Sequence, residues 1–329
     1  MVISTPSINP ISGYFNCPGV LFNYQFSAAF TAPSNITILA TDYVGYDFSV
    51  TPNPMIVEAD DDVTVHVFYS YSNFVSEWLI GSANIMPIDS LGNTYFVASY
   101  APYSSRKSAF TISSLDNTTT VEIRASNGER YNEVLEPYST FQLQSSTDLT
   151  GSYIKSDRPI SVMSGSSCSK VPISKHRCNY LLVHLTDVES AGTHFVMSPF
   201  KDNDEGYIFR VVATVDNTIV RINPGNVTQE IHAREFYEMN VMGVMVVYIT
   251  ATKPVLVFQY GKGGDETHEQ GDPLMVVVPA IEHFVHTVTF PVVYLPTRRE
   301  SLYSISVIIR CRFVDEGLLL DGRNLGELN

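Results

Sequence analysis

The sequence predicts an all-β protein built from internal repeats of roughly a hundred residues. Three observations carry this prediction. First, short runs rich in Val, Ile, Thr, Tyr and Phe alternate with period two: Thr119, Val121 and Ile123 share one face, and Thr118, Thr120, Glu122 and Arg124 the other. Second, turn chemistry separates the runs, at Asp116-Asn117, Asn127-Gly128, Pro137-Tyr138 and Asp157-Arg158-Pro159, which reads as successive hairpins. Third, the pattern returns: DNTIVRINPG from Asp216, then QEIHAREFYEMN, then YITATKPVLVFQYGKG from Tyr248. In this second copy Thr252-Lys253-Pro254-Val255 stands where Asp157-Arg158-Pro159-Ile160 stood. No stretch carries a helical i, i+3, i+4 pattern of useful length.

Taken in order, residues 1–20 show little periodicity and read as a lead-in. Strands are expected at 21–30, 36–40, 46–50 and 55–58, then at 63–71 after the acidic turn Glu58 to Asp62. Ser34-Asn35-Ile36 occupies the place that Asp116-Asn117-Thr118 holds later, giving a degenerate first copy. A linking motif of strand, polar kink and strand recurs from Ala83, Asn179 and Pro273. The resulting units are 21–90, 91–190, 191–290 and a partial fourth at 291–329. Antiparallel four-stranded meanders of this kind favour a β-propeller-like arrangement, with tandem β-sandwiches as the alternative.

Composition excludes several functions. With 44% hydrophobic and 16% charged residues the chain is an ordinary globular one. A formal net charge of −14 repels phosphate backbones, so nucleic acid is not an expected partner. Apolar runs fall short of the ~20 residues that a helix needs to cross a bilayer, so no membrane insertion by this segment is expected. The start MVISTPSINP lacks the features of a secretory signal, which leaves a cytosolic protein or a segment of a longer secreted chain. Three glycosylation sequons, at Asn35, Asn117 and Asn226, favour the second.

The four cysteines do not form a dense framework. Cys168 and Cys178 enclose a short basic segment and read as a clipped loop; free thiols or a metal are the alternatives, and a metal is poorly served by one nearby His176. Whether Cys17 and Cys311 pair is open. Among polar stretches, Gly261 to Asp272 is Gly-rich and exposed in character, but it lacks the spacing of a phosphate loop. Its Lys262, Asp265, Glu266, His268 and Asp272 are the candidate partner-binding residues, because mobile loops carry contacts. Lys201 to Gly206 begins like a calcium loop but lacks the closing acid. Ser164-Gly165-Ser166-Ser167 lacks the elbow of a nucleophilic serine and reads as a strand-end turn. No catalytic residue, cofactor or metal site is assigned.

The series Leu91-Gly92-Asn93-Thr94-Tyr95, Leu149 to Pro159 and Gly271 to Met275, with the Cys168–Cys178 loop, resembles the N-terminal domain of the IgG Fc-binding protein family over roughly 20–325. Thr186-Asp187 departs from that pattern where prolines are expected, and His283 where an amide is usual. The resemblance implies a secreted, mucus- or surface-associated module, hence an extracellular or cell-surface location and protein or glycoprotein ligands. It transfers no binding residue. The expected function is therefore a noncatalytic extracellular binding or structural module engaging mucin-like or immunoglobulin-like glycoproteins. A propeller enzyme such as a glycosidase, or a fragment of a receptor ectodomain, is the alternative.

Overall fold

The computed structural model describes residues 1–17, 22–36, 50–51, 54–72, 78–201, 204–264, 271–288, 290, 305–309, 318–320 and 323–324. They divide into two compact units, Met1–Val293 and Tyr294–Asn329. The first is all-β, and every strand pair described in it is antiparallel.

Its strands fall into three successive groups. The first holds β1 (Val2–Ser4), β2 (Ile11–Cys17), β3 (Phe22–Ala28), β4 (Ser34–Asn35), β5 (Val50–Thr51), β6 (Ile56–Ala59), β7 (Thr64–Ser72) and β8 (Trp78–Ile85). The second holds β9 (Thr94–Phe96), β10 (Ser108–Ser114), β11 (Thr119–Arg124), β12 (Arg130–Leu135), β13 (Thr140–Ser145), β14 (Tyr153–Ser156), β15 (Ile160–Ser169) and β16 (Asn179–His184). The third holds β17 (Gly192–Met197), β18 (Tyr207–Ala213), β19 (Thr218–Asn223), β20 (Val227–Ile231), β21 (Phe236–Val241), β22 (Val247–Gly261) and β23 (Leu274–Val278). In the second compact unit, β24 (Leu319–Leu320) pairs with β25 (Arg323–Asn324).

Strand order explains the repeat. In the second group the chain builds two sheets, β12-β11-β14-β9 and β16-β15-β10-β13, the latter extended by β5. In the third group β20-β19-β22-β17 and β23-β22-β18-β21 follow the same order, with β22 serving both. Residues 248–251 of β22 pair with β19, and 255–261 pair with β18. Thr252-Lys253-Pro254 lies at the changeover, where β17 also shifts register between Gly192 and His194. Pro254, which has no N–H to give a ladder, fits this break. The first group repeats the pattern with β3-β2-β6 and β8-β7-β1-β4.

The small antiparallel sheets are of the blade-like size that the sequence favours, but their strand order is not a sequential meander. Asn127-Gly128 does close a hairpin, β11 to β12, with Gly128 at φ +94°. At Pro137-Tyr138, by contrast, the chain passes from one sheet to the other, and Tyr138 takes φ +54°. The buried side chains of both sheets then meet: Phe110, Ile112, Phe141 and Val162 from one share a core with Tyr95, Val121, Ile123 and Ile154 from the other. Alternation pins this register, since a one-residue slip of β10 would turn Phe110 and Ile112 outward. Each such side chain contributes about 1.5–3 kcal/mol by burial. β18 is buried on both faces: Tyr207, Phe209, Val211 and Ala213 enter the third group's core, while Ile208 and Val212 enter the second's.

Three expectations are corrected. Residues 1–20 contain β1 and β2 of the first sheets; Gly13 and Asn16 weaken a strand signature that burial of Ile11, Phe15 and Cys17 nonetheless enforces. Asn35 lies in β4, which pairs with β1, so the topological match to Asp116-Asn117 is the Ser7–Pro10 segment before β2. Ser164 to Ser167 lies inside β15, where Ser164 Oγ donates to Ala98 O at 2.6 Å. The ideal Cβ position of Gly165 there lies 1.8 Å from Leu181 O, so only glycine fits. The linking motif is strand, 3₁₀ turn and strand in its first two copies, with turns at Ile88–Ser90 and Val188–Ser190. The third copy has its strand and the turn Ile281–His283, but the described residues 284–288 are not a strand, so the second strand expected there is not seen. Asp187, which departs from the expected proline, caps the second turn: its carboxylate accepts from Glu189 N and Thr94 N, each at 2.8 Å.

Candidate functional site

An arginine in the middle of an apolar strand, YIFRVVA, marks the joint between the second and third groups. Arg210 stands on the β18 face that also carries Ile208 and Val212, and its side chain is 5% exposed. Its Nη1 donates to Asp148 Oδ2 (2.7 Å), Thr150 Oγ1 (2.7 Å) and Ser99 O (2.9 Å), and its Nε to Glu238 Oε2 (2.8 Å). Tyr100, Phe236 and Tyr260 pack around the guanidinium at 4.4, 4.5 and 5.5 Å. Burial opposes its charge, but Tyr260, Asp148 and Glu238 together raise its pKa further above the ordinary value. Burial likewise pushes the Tyr260 and Tyr100 hydroxyls well up, so both stay protonated. Tyr260 donates to Ser99 O at 2.8 Å.

This joint grips the Asp148–Ser152 turn from one side. Arg234 grips it from the other, with φ +74° and a guanidinium that donates to the carbonyls of Gly151 (3.3 Å), Arg124 (3.2 Å) and Ala125 (3.3 Å). Gly151 takes φ +87°, and a Cβ there would lie 2.1 Å from Arg234 O. β14 leaves this turn directly, so the turn sets the position of Tyr153 and Lys155.

The result is a shallow groove of about 270 Å³ between the outer face of β9-β11-β14 and the third group's Thr214, Ala233 and Arg234. The registers place Arg124 beside Tyr153 and Tyr153 beside Phe96, with Glu122 beside Lys155 in the next row. The Tyr153 ring meets Phe96 edge-on at 5.4 Å, and the Arg124 guanidinium lies 5.8 Å from it. Arg124 Nε donates to Glu122 Oε1 at 2.7 Å. Lys155 is exposed and has no carboxylate partner among the described residues. Arg234 is held by carbonyls alone. Three cations thus face one carboxylate, a positive island on a chain of net charge −14.

The residues predicted from sequence fall elsewhere. Lys262 is buried, and its Nζ donates to Glu205 O (2.6 Å) and Val241 O (3.1 Å). Burial lowers its pKa, and Glu205 opposes that shift in part. Asp272 is half exposed and lies 3.9 Å from Arg177. Asp265, Glu266 and His268 lie outside the described residues. Cys168 and Cys178 form a disulfide with Cα atoms 5.4 Å apart. The structure brings this clipped loop against the polar segment: Gly263 N donates to Val171 O (2.9 Å) and Asn179 Nδ2 to Pro273 O (3.0 Å). Lys175 of the clipped loop pairs with Glu205. Asn35, Asn117 and Asn226 are all exposed. Cys17 is buried in β2, and Cys311 lies outside the described residues. Among the described residues no three His, Cys, Asp or Glu side chains converge as a metal would require, and no helix is long and apolar enough to cross a membrane.

Residues 81–328 match the model of the IgGFc binding protein family, beginning in β8 and spanning the second and third groups. The chain belongs to that family. It is 26% identical over 257 residues to the IgGFc-binding protein of Homo sapiens, an alignment covering 74% of this chain and 5% of that protein. A solved structure of a 1.5-MDa bacterial ice-binding adhesin is 11% identical, with 83% of this chain and 86% of that chain covered, at a TM-score of 0.13. So low a score carries no argument. The family match includes Arg210, Arg234 and the groove, none of which was singled out from sequence. For Arg210 a signal existed, since a lone cation inside a continuous apolar strand needs a buried partner. For Arg234 and the groove none did, because Arg234 donates to carbonyls 83 to 110 residues away and the groove joins residues of the second and third groups that sequence order keeps apart.

Proposed function

We propose that this chain is a noncatalytic extracellular module that binds glycoproteins, mucin-like or immunoglobulin-like, in mucus or at a cell surface. Membership of the IgGFc-binding family carries the reading, since the curated relative is named for a binding activity. The frame supports it: repeated, densely cored sheets leave their loops and outer faces to make contacts. A disulfide at Cys168–Cys178 and exposed asparagines at all three sequons accord with a secreted setting. The polar segment from Lys262 to Asp272 contributes through its loop, with Lys262 anchoring the base and Asp265, Glu266, His268 and Asp272 beyond it.

Catalysis by a glycosidase-like route needs two carboxylates flanking the bond to be cut. The groove on β9-β11-β14 presents one, Glu122, and Arg124 already holds it. The test is saturable binding of the secreted, glycosylated chain to immobilised mucin, and separately to immunoglobulin Fc, across a salt series. Saturation on either surface supports the reading. Absence of binding to both overturns it.

A further inference from the structure

We infer that the groove between β14 and Arg234 is a binding site for an anionic sugar residue, one bearing a carboxylate or a sulfate ester. The inference rests on the glycoprotein-binding reading for its setting, but its evidence is the groove itself. Four features converge there. At about 270 Å³ the groove lies just below the roughly 300–1,000 Å³ of drug-sized ligand clefts, a size suited to a single sugar ring and not to an extended peptide. Tyr153, backed by Phe96, supplies an aromatic wall of the kind against which the apolar face of a sugar ring packs. Lys155, Arg124 and Arg234 supply the positive charge that an acidic substituent requires. Glu122 offers an acceptor for ring hydroxyls.

The charge distribution gives this weight. The chain carries 34 acidic and 20 basic residues, so most of its surface repels anions. A groove in which cations outnumber carboxylates focuses the remaining attraction on one place. Two of those cations are also available. Lys155 has no carboxylate partner among the described residues, and Arg234 is bound only to neutral carbonyls, so neither charge is neutralised in place. Arg234 spans the two strand groups while holding an uncommon left-handed backbone, which fixes the far wall of the groove before any ligand arrives.

The experiment is calorimetric titration of the full chain with 3′-sialyllactose, 3′-sulfated lactose and plain lactose, repeated with Lys155→Glu and Tyr153→Ala. Lys155 is exposed and Tyr153 half-buried against Phe96 on the outer face of β14. Cooperative melting of both variants, unchanged in midpoint for Lys155→Glu, will show that they fold. The acidic sugars should bind at least about tenfold more tightly than lactose, the equivalent of one well-placed charge interaction. Lys155→Glu should remove at least that factor, and Tyr153→Ala should weaken all sugars. Preference between the two acids tells a carboxylate ligand from a sulfate. Equal binding of lactose, retention of affinity by Lys155→Glu, or no binding by any of the sugars overturns the inference.

A parallel assay on mucin separates the two proposals. Loss of mucin binding after enzymatic removal of sialic acid and sulfate supports the groove. Undiminished binding by Lys155→Glu to stripped mucin overturns the groove and leaves the module reading standing. Binding of the small acidic sugars without binding to mucin or to immunoglobulin Fc does the reverse.

Discussion

Replacing Arg210 with alanine is predicted to be among the most damaging single changes in the chain. The guanidinium makes four hydrogen bonds, two of them to the carboxylates of Asp148 and Glu238. It also fills the space bounded by Tyr100, Phe236 and Tyr260. Removing it leaves Asp148, whose side chain is 19% exposed, as a nearly buried charge with no cation. Breaking a buried pair in this way costs about 3–5 kcal/mol. Glu238, at 36% exposed, reaches water and adds little. For the roughly 200 residues of the second and third groups, 3–5 kcal/mol is a fall of about 6–20 °C in melting midpoint. Calorimetry measures this directly, and the variants Asp148→Asn and Arg210→Ala/Asp148→Asn complete a cycle. The double variant should recover part of the loss, since it removes the orphaned charge. Arg210→Lys should lie between, because a point charge cannot serve two carboxylates, a carbonyl and a hydroxyl from a planar fork. A loss below about 1 kcal/mol for Arg210→Ala, or a strictly additive cycle, would refute the argument that this residue joins the two groups.

Two further tests address the same architecture. Gly151→Ala combines a left-handed backbone with a 2.1 Å approach to Arg234 O, so it should cost at least about 2 kcal/mol; urea unfolding of the variant measures this, and a near-neutral change would show that the Arg234 turn yields easily. His184 is held neutral, its pKa lowered to about 4 by burial; its Nδ1 accepts from Met86 N at 2.9 Å and its Nε2 meets Ser161 Oγ at 3.0 Å. The unfolded chain takes up this proton near pH 6.5 and the folded chain only near 4. Stability is therefore full above about 6.5, falls by about 3 kcal/mol as the pH drops to about 4, and levels below it. The difference between wild type and His184→Gln across that window isolates this contribution, and a flat difference would contradict it.

The β character of the chain was legible because alternation is a local property. Thr119, Val121 and Ile123 point inward in β11 as their spacing indicates. The repeat was legible for the same reason, and Ile160 and Val255 do begin equivalent strand segments after Asp157-Arg158-Pro159 and Thr252-Lys253-Pro254. Turn residues, however, say only that the chain bends. Asn127-Gly128 and Pro137-Tyr138 look alike in sequence, yet one closes a hairpin and the other carries the chain to the opposite sheet. The choice depends on which buried faces meet, and that is set by side chains far away along the chain. Lys262 illustrates the same limit: a polar neighbourhood suggested exposure, while the tertiary structure wrapped its ammonium in the carbonyls of Glu205 and Val241. The sequence by itself determined the all-β character and the repeat, both encoded within a few residues, and pointed to the cysteine loop that the disulfide then closed. Only the tertiary structure decided the sheet order, the Arg210 joint and the groove beside Tyr153. Each of those is a balance of charge and packing between segments that sequence order keeps apart.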